Sequence, residues 1–183
     1  VEQISEIISL DKFDAIVIEA SGICEPIPIA QTITMMPEMT GKNEECYLDS
    51  VVAVVDAIRL KEEFQCGASL TNKEIDEEDI EKLIIEQLEF CNVIVLNKVN
   101  EVSIDELNEM KAIIRSIQPK AKIIETNYSE VDLREILDTN LFDLEASTMT
   151  AGWIEALENP EEVEESGEVL EYGISTFVYY RRE

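Results

Sequence analysis

Three short stretches hold the side chains that could do chemistry. Glu19 closes the apolar run Ala15-Ile16-Val17-Ile18 and is followed at once by Ala20-Ser21-Gly22. A carboxylate there can hold Mg²⁺ directly or through water, and a glycine lets the backbone come close to a phosphate. Asp56 closes a second apolar run, Ser50–Asp56, SVVAVVD. Asn97-Lys98-Val99-Asn100 follows a third, Asn92–Leu96. In an open α/β sheet, ligands sit at the carboxyl ends of strands, so Glu19 at a strand tip reads as the half of a nucleotide site that handles metal and terminal phosphate. The plainer alternatives are an ordinary strand and turn at Glu19 and a helix cap at Asp56.

The elements that must position these tips alternate. Ile4, Ile7 and Ile8 have helical spacing ahead of the first run. The run at 15–18 is β-branched and too short for a helix, as in a parallel-sheet strand buried on both faces. Pro26 and Pro28 fit a helix start, with Ile29, Ile33 and Met36 as its apolar face. Residues 37–49 read as a polar loop. Ile80, Leu83, Ile84 and Leu88 form one stripe of a helix over 80–90 that leads into the third strand. Ser103 and Glu106 have capping-box spacing, opening a helix with Leu107, Met110, Ile114 and Ile117 inward. Ala121–Glu125 reads as a fourth strand and Val131–Leu137 as a short helix. Strand–helix alternation of this kind predicts a parallel sheet with crossover helices. Beyond it, Glu155–Glu171 holds eight glutamates and reads as a solvated linker. Tyr172–Arg182 alternates like a strand.

Composition narrows the function class. The chain has 183 residues, 45% hydrophobic, with 41 acidic and 14 basic side chains and a formal charge of −27. Such a surface repels phosphate backbones and anionic membranes, which argues against nucleic-acid partners. No apolar run nears the roughly 20 residues of a membrane span. Four cysteines, Cys24, Cys46, Cys66 and Cys91, show no CxxC pairing, which favours a reducing, cytoplasmic setting. Histidine is absent. Cys24 beside Glu25 could offer Zn²⁺ a thiolate and a carboxylate, although single cysteines are usually small buried hydrophobes.

The order IVIEASGICEPIPIA, SVVAVVDA, EQLEFCNVIVLNK resembles the CobW-type family of P-loop GTPases, relatives of the nickel-insertion GTPases HypB and UreG. Members carry an E-S/T-S-G-x-x-x-P block, a V-V-x-V-V-D-A strand, and E-Q followed by N-K-x-D. EYGISTFVYYRRE looks like the entry strand of the family's C-terminal domain. The resemblance implies a Rossmann-like, three-layer P-loop NTPase domain at 1–150, an acidic linker at 151–171, and the first strand of a C-terminal domain at 172–183.

It further implies that Glu19 stands at the Mg²⁺ and γ-phosphate end, with Ser21 and Gly22 in the segment that senses the γ-phosphate. Asp56 matches the acidic strand tip, and Asn97, Lys98 and Asn100 match the base-recognition motif. In that motif the Lys stem lies along the guanine ring and the Asp accepts two hydrogen bonds from the base. Glu86-Gln87 matches the E-Q pair, or is simply solvated on its helix. The implied function is a cytoplasmic metallochaperone coupling GTP, with Mg²⁺, to delivery of zinc or cobalt to a client metalloprotein, as in cobalamin biosynthesis.

Two departures matter. Asn100 stands where the family has Asp, and an amide cannot offer two carboxylate oxygens to guanine. No G-x-x-x-x-G-K-[ST] and no C-x-C-C occurs in the chain, which opens on Val1. The expectation is an N-terminally truncated domain that is inactive on its own, because phosphoryl transfer needs the P-loop. The competing reading is a non-hydrolysing scaffold or an acidic metal buffer.

Overall fold

The computed structural model describes residues 2–22, 24–40, 46–72, 75 and 79–143. The acidic linker and the closing strand expected at 172–182 lie outside the described residues. Three parallel strands form the sheet in sequence order: β1 (Val52–Asp56), β2 (Val93–Asn97) and β3 (Lys122–Thr126). The register aligns Asp56 with Asn97 and Asn97 with Thr126, so three polar residues finish side by side at the carboxyl edge.

β2 is central, and its four apolar residues Val93–Leu96 are all buried. α4 (Ile80–Phe90) feeds β2, and α5 (Ile104–Ile117) links it to β3. Leu107, Met110 and Ile114 of α5 pack with Leu88, Ile94 and Leu96 in the main core. The α5 start carries the full capping box, Ser103 accepting from the Glu106 N–H while Glu106 accepts from the Ser103 N–H. Both helices therefore arise as their stripes and caps predict.

α1 (Glu2–Ser9) and α2 (Pro26–Thr40) also form. α2 runs to Thr40, so the loop expected from residue 37 starts later. Ile27 and Ala30 of α2 make a second cluster with Phe90, and Phe142 meets Phe90 edge-on at 6.2 Å. α3 (Ala57–Glu62) follows β1 directly and leads to a 3₁₀ stretch, Gln65–Thr71. There Gly67 has φ +96°, and a Cβ would lie 3.1 Å from Ile113 Cγ2, so any larger residue would be strained by its backbone and crowded against α5.

Three expectations are corrected. Ala15–Ile18 forms no regular element and joins no ladder among the described residues, and Val17 is 76% exposed. Its apolar pattern favours pairing, yet among the described residues β1 bonds only to β2 and no neighbouring strand covers this run. β1 is half-covered rather than buried on both faces, with Val54 66% exposed, because it lies at the edge of this sheet. The helix expected at Val131–Leu137 shrinks to a 3₁₀ turn, Leu133–Glu135. Ile136 leaves helical geometry at φ −131°, and Leu133 faces solvent with no apolar surface to hold another turn.

Candidate functional site

Asp56 sits where β1 becomes α3. Its Oδ1 accepts from the Ile58 and Arg59 N–H groups at 2.9 and 3.2 Å, satisfying donors that a helix start leaves orphaned. Its Oδ2 accepts from Lys98 Nζ at 2.5 Å. The helix-cap alternative is therefore realised together with a contact to Lys98 in the loop after β2. Desolvation pushes the Asp56 carboxyl up, but the bonds from Lys98, Arg59 and Ile58 outweigh it and hold it below its ordinary value. With both oxygens engaged, Asp56 anchors Lys98.

Asn97 ends β2 and turns its side chain across the edge. Its Oδ1 accepts from the Ser129 N–H at 2.9 Å. Lys98 takes a left-handed backbone, φ 63° and ψ 33°, which turns the chain sharply into the 3₁₀ turn Val99–Glu101. The Asn100 N–H donates to Asn127 Oδ1 at 3.0 Å, and the Asn100 side chain is exposed. The loop after β3 is closed from its own side by Thr126 Oγ1, which donates to the Glu130 carbonyl at 2.8 Å. Two loops from neighbouring strands are thus laced in both directions, Asn97 holding Ser129 and Asn127 holding Asn100.

The partners Asn127 and Ser129 went unmarked in the sequence. A polar stretch, Thr126–Ser129, directly after a strand was the available signal, but nothing local says which loop it meets. Lys61 of α3 pairs with Glu106 of α5 at 2.9 Å, joining the helices that follow β1 and β2. Hydrogen bonds from the Ser103 backbone, Lys61 and the Ser103 hydroxyl hold the Glu106 carboxyl down to about 2.

Glu19, Ser21 and Gly22 are exposed, and no hydrogen bond among the described residues joins them to Asp56 or Lys98. Instead, Gln87 of α4 donates from Nε2 to the carbonyls of Gly22 and Cys24, both at 3.1 Å. Gln87 is therefore a clasp rather than a merely solvated side chain, while Glu86 pairs with Lys82 at 3.5 Å. All four cysteines are free thiols. Burial, then the Glu25 charge, pushes the Cys24 thiol up, away from the thiolate a metal needs.

Among the described residues no group of three or more Cys, Asp or Glu could hold a metal ion. Asp56, already committed to Lys98 and its helix, is not free to ligate a metal. No described helix is long and apolar enough to cross a membrane.

A family model, the CobW/HypB/UreG nucleotide-binding domain, matches residues 1–125. The chain is similar to zinc-regulated GTPase metalloprotein activator 1 of Dictyostelium discoideum, 36% identical over 98% of this chain and 38% of the relative. It is also similar to the protein of that name in Schizosaccharomyces pombe, 32% identical over 78% of this chain and 31% of the relative. The chain thus spans about two fifths or less of these relatives' length. A solved structure of the Zn(II)-bound YjiA GTPase from E. coli superposes with a TM-score of 0.56 at 23% identity, covering 77% of this chain and 40% of that one. That likeness shows the α/β fold.

Proposed function

The chain belongs to the CobW/HypB/UreG nucleotide-binding domain family, and from that premise we propose that it supplies the base-recognition side of a GTP-dependent zinc metallochaperone. The observation that carries this reading is the laced carboxyl edge: Asp56 anchors Lys98, and Asn97 and Asn127 tie the base motif to the loop after β3. A base held there would lie along the Lys98 stem and meet the Asn100 amide. Residues 1–150 form the nucleotide domain, 151–171 an acidic linker and 172–183 the entry strand of a C-terminal domain.

Glu19, Ser21 and Gly22 belong to the γ-phosphate end in this reading, Glu19 as the carboxylate for Mg²⁺. The exposed state of all three fits a segment that changes place when a triphosphate arrives. Zinc is the cargo favoured by the names of the relatives, ahead of cobalt and cobalamin biosynthesis, and a client metalloprotein receives it. Free thiols suit a cytoplasmic setting. These residues carry no G-x-x-x-x-G-K-[ST], so they would not hydrolyse GTP alone.

The experiment is calorimetric titration of the full-length protein with GTP, GDP and ATP, with and without Zn²⁺. Micromolar guanine-nucleotide binding that shifts with Zn²⁺ is the expected result. Absence of any nucleotide binding would overturn the reading. It would leave the second one, a non-hydrolysing scaffold, which Asn100 in place of the family's Asp favours.

A further inference from the structure

Tyr128 stands between the two residues that lace the loops together. Asn127 before it holds Asn100, and Ser129 after it is held by Asn97. The backbone at Tyr128 therefore cannot drift from the base motif without breaking one of these bonds. Yet the side chain is 89% exposed, the most exposed of the described large hydrophobics.

Its backbone is also costly. Tyr128 and Ser129 both have positive φ, 56° and 54°, a region that disfavours residues with a Cβ. Glycine would relieve that strain, and a bulky aromatic there gains nothing from the core. A strained, exposed ring on a loop pinned at both sides points to a use outside the fold.

The spacing defines that use. Lys98 and Asn127 leave adjacent strands at the same level, because Asn97 pairs with Thr126. Neighbouring strands are about 4.8 Å apart, so side chains rising from the two loops can stand roughly one to two strand spacings apart. A planar base needs about 7 Å between the groups that flank its two faces, with aromatic centroids at about 4.5–7 Å from one another. One flank is the Lys98 stem, fixed by Asp56.

We propose that Tyr128 is the opposite flank, a base-stacking residue that closes the second face of a purine nucleotide against Lys98. The contact is sequence-tolerant, since every purine has a π-face, so Tyr128 strengthens binding of the base while Asn100 reads its edge. This inference rests on the nucleotide-binding reading given above.

The test is calorimetric titration of the full-length protein and its Tyr128→Ala, Tyr128→Phe and Tyr128→Gly variants with GDP and with inorganic pyrophosphate, which lacks a base. Tyr128→Ala and Tyr128→Gly should weaken GDP about 10-fold or more, and Tyr128→Phe should keep it. Pyrophosphate affinity should not move. Tyr128→Gly relieves the positive φ, so its loss of GDP would not come from backbone strain at this position, and Tyr128→Phe separates the ring from loop stiffness. GDP affinity unchanged within about twofold in Tyr128→Ala would overturn the proposal, as would equal losses for GDP and pyrophosphate. If the unsubstituted protein binds no GDP at all, the nucleotide reading itself falls.

Discussion

Lys98 Nζ donates to Asp56 Oδ2 at 2.5 Å, joining the ends of two neighbouring strands across 42 positions of sequence. The pair is half exposed, so its contribution to stability is small, on the order of 0–1 kcal/mol. Its effect is geometric: it holds the Lys98 stem while the other Asp56 oxygen caps α3.

Cap and anchor can be separated. Asp56→Asn should keep the cap, since Asn caps as well as Asp, and unfold in urea almost like the parent. It should weaken guanine-nucleotide binding, because Lys98 loses its charged partner. Asp56→Ala should lose both and cost about 1 kcal/mol in urea unfolding. Equal nucleotide affinity in Asp56→Asn and the parent would show that Lys98 needs no anchor.

Asn100 offers one acceptor and one donor where a carboxylate offers two acceptors. Asn100→Asp should therefore raise GDP affinity by about 1.5–3 kcal/mol and leave ADP little changed. Calorimetry with both nucleotides reads this directly. A matched gain for ADP would mean that Asn100 does not face the base edge.

The Gln87 clasp predicts a local effect. Gln87→Leu removes two donors from the carbonyls of Gly22 and Cys24. Limited proteolysis around residues 20–25 should accelerate, while urea unfolding changes by about 1–2 kcal/mol at most. Cleavage at the parent rate would show that α2 alone holds this segment.

Two titrations bracket the pH range of stability. Glu106 is held down to about 2 against an ordinary 4.5, so the unfolded chain binds its proton more readily. That stabilisation is full above about 4.5 and fades as the pH falls towards 2. Burial pushes Cys91 up to about 12 from 9, so its contribution is full below 9 and is lost as the pH rises from there. Urea midpoints measured for Glu106→Gln and Cys91→Ala should lose the acid and the alkaline dependence respectively.

Gly67 tests the packing between the 3₁₀ stretch and α5. Gly67→Ala must hold φ +96° with a Cβ 3.1 Å from Ile113 Cγ2. A cost of roughly 1–3 kcal/mol in thermal or urea unfolding is expected.

Local features carried much of this fold. The Leu83–Leu88 stripe, the all-apolar β2 and the Ser103–Glu106 box each depend on neighbours within a few positions, so α4, β2 and α5 arise where the pattern puts them. The polar turn Asn97–Asn100 was legible for the same reason: a strand tip and four consecutive residues define it.

What the motif touches was not legible. Asp56 with Lys98, Asn97 with Ser129, Asn127 with Asn100 and Gln87 with Gly22 are decided by strand order and register, which no local period specifies. Ala15–Ile18 shows the same limit from the other side. Its β-branched run states a preference for pairing, but pairing needs a neighbour, and only the tertiary arrangement decides whether one is there. The sequence alone determined α4, β2 and α5 and the polar residues at the tips of β1 and β2; the parallel register decided which of those residues meet, because hydrogen bonds between distant loops exist only once the strands are laid side by side.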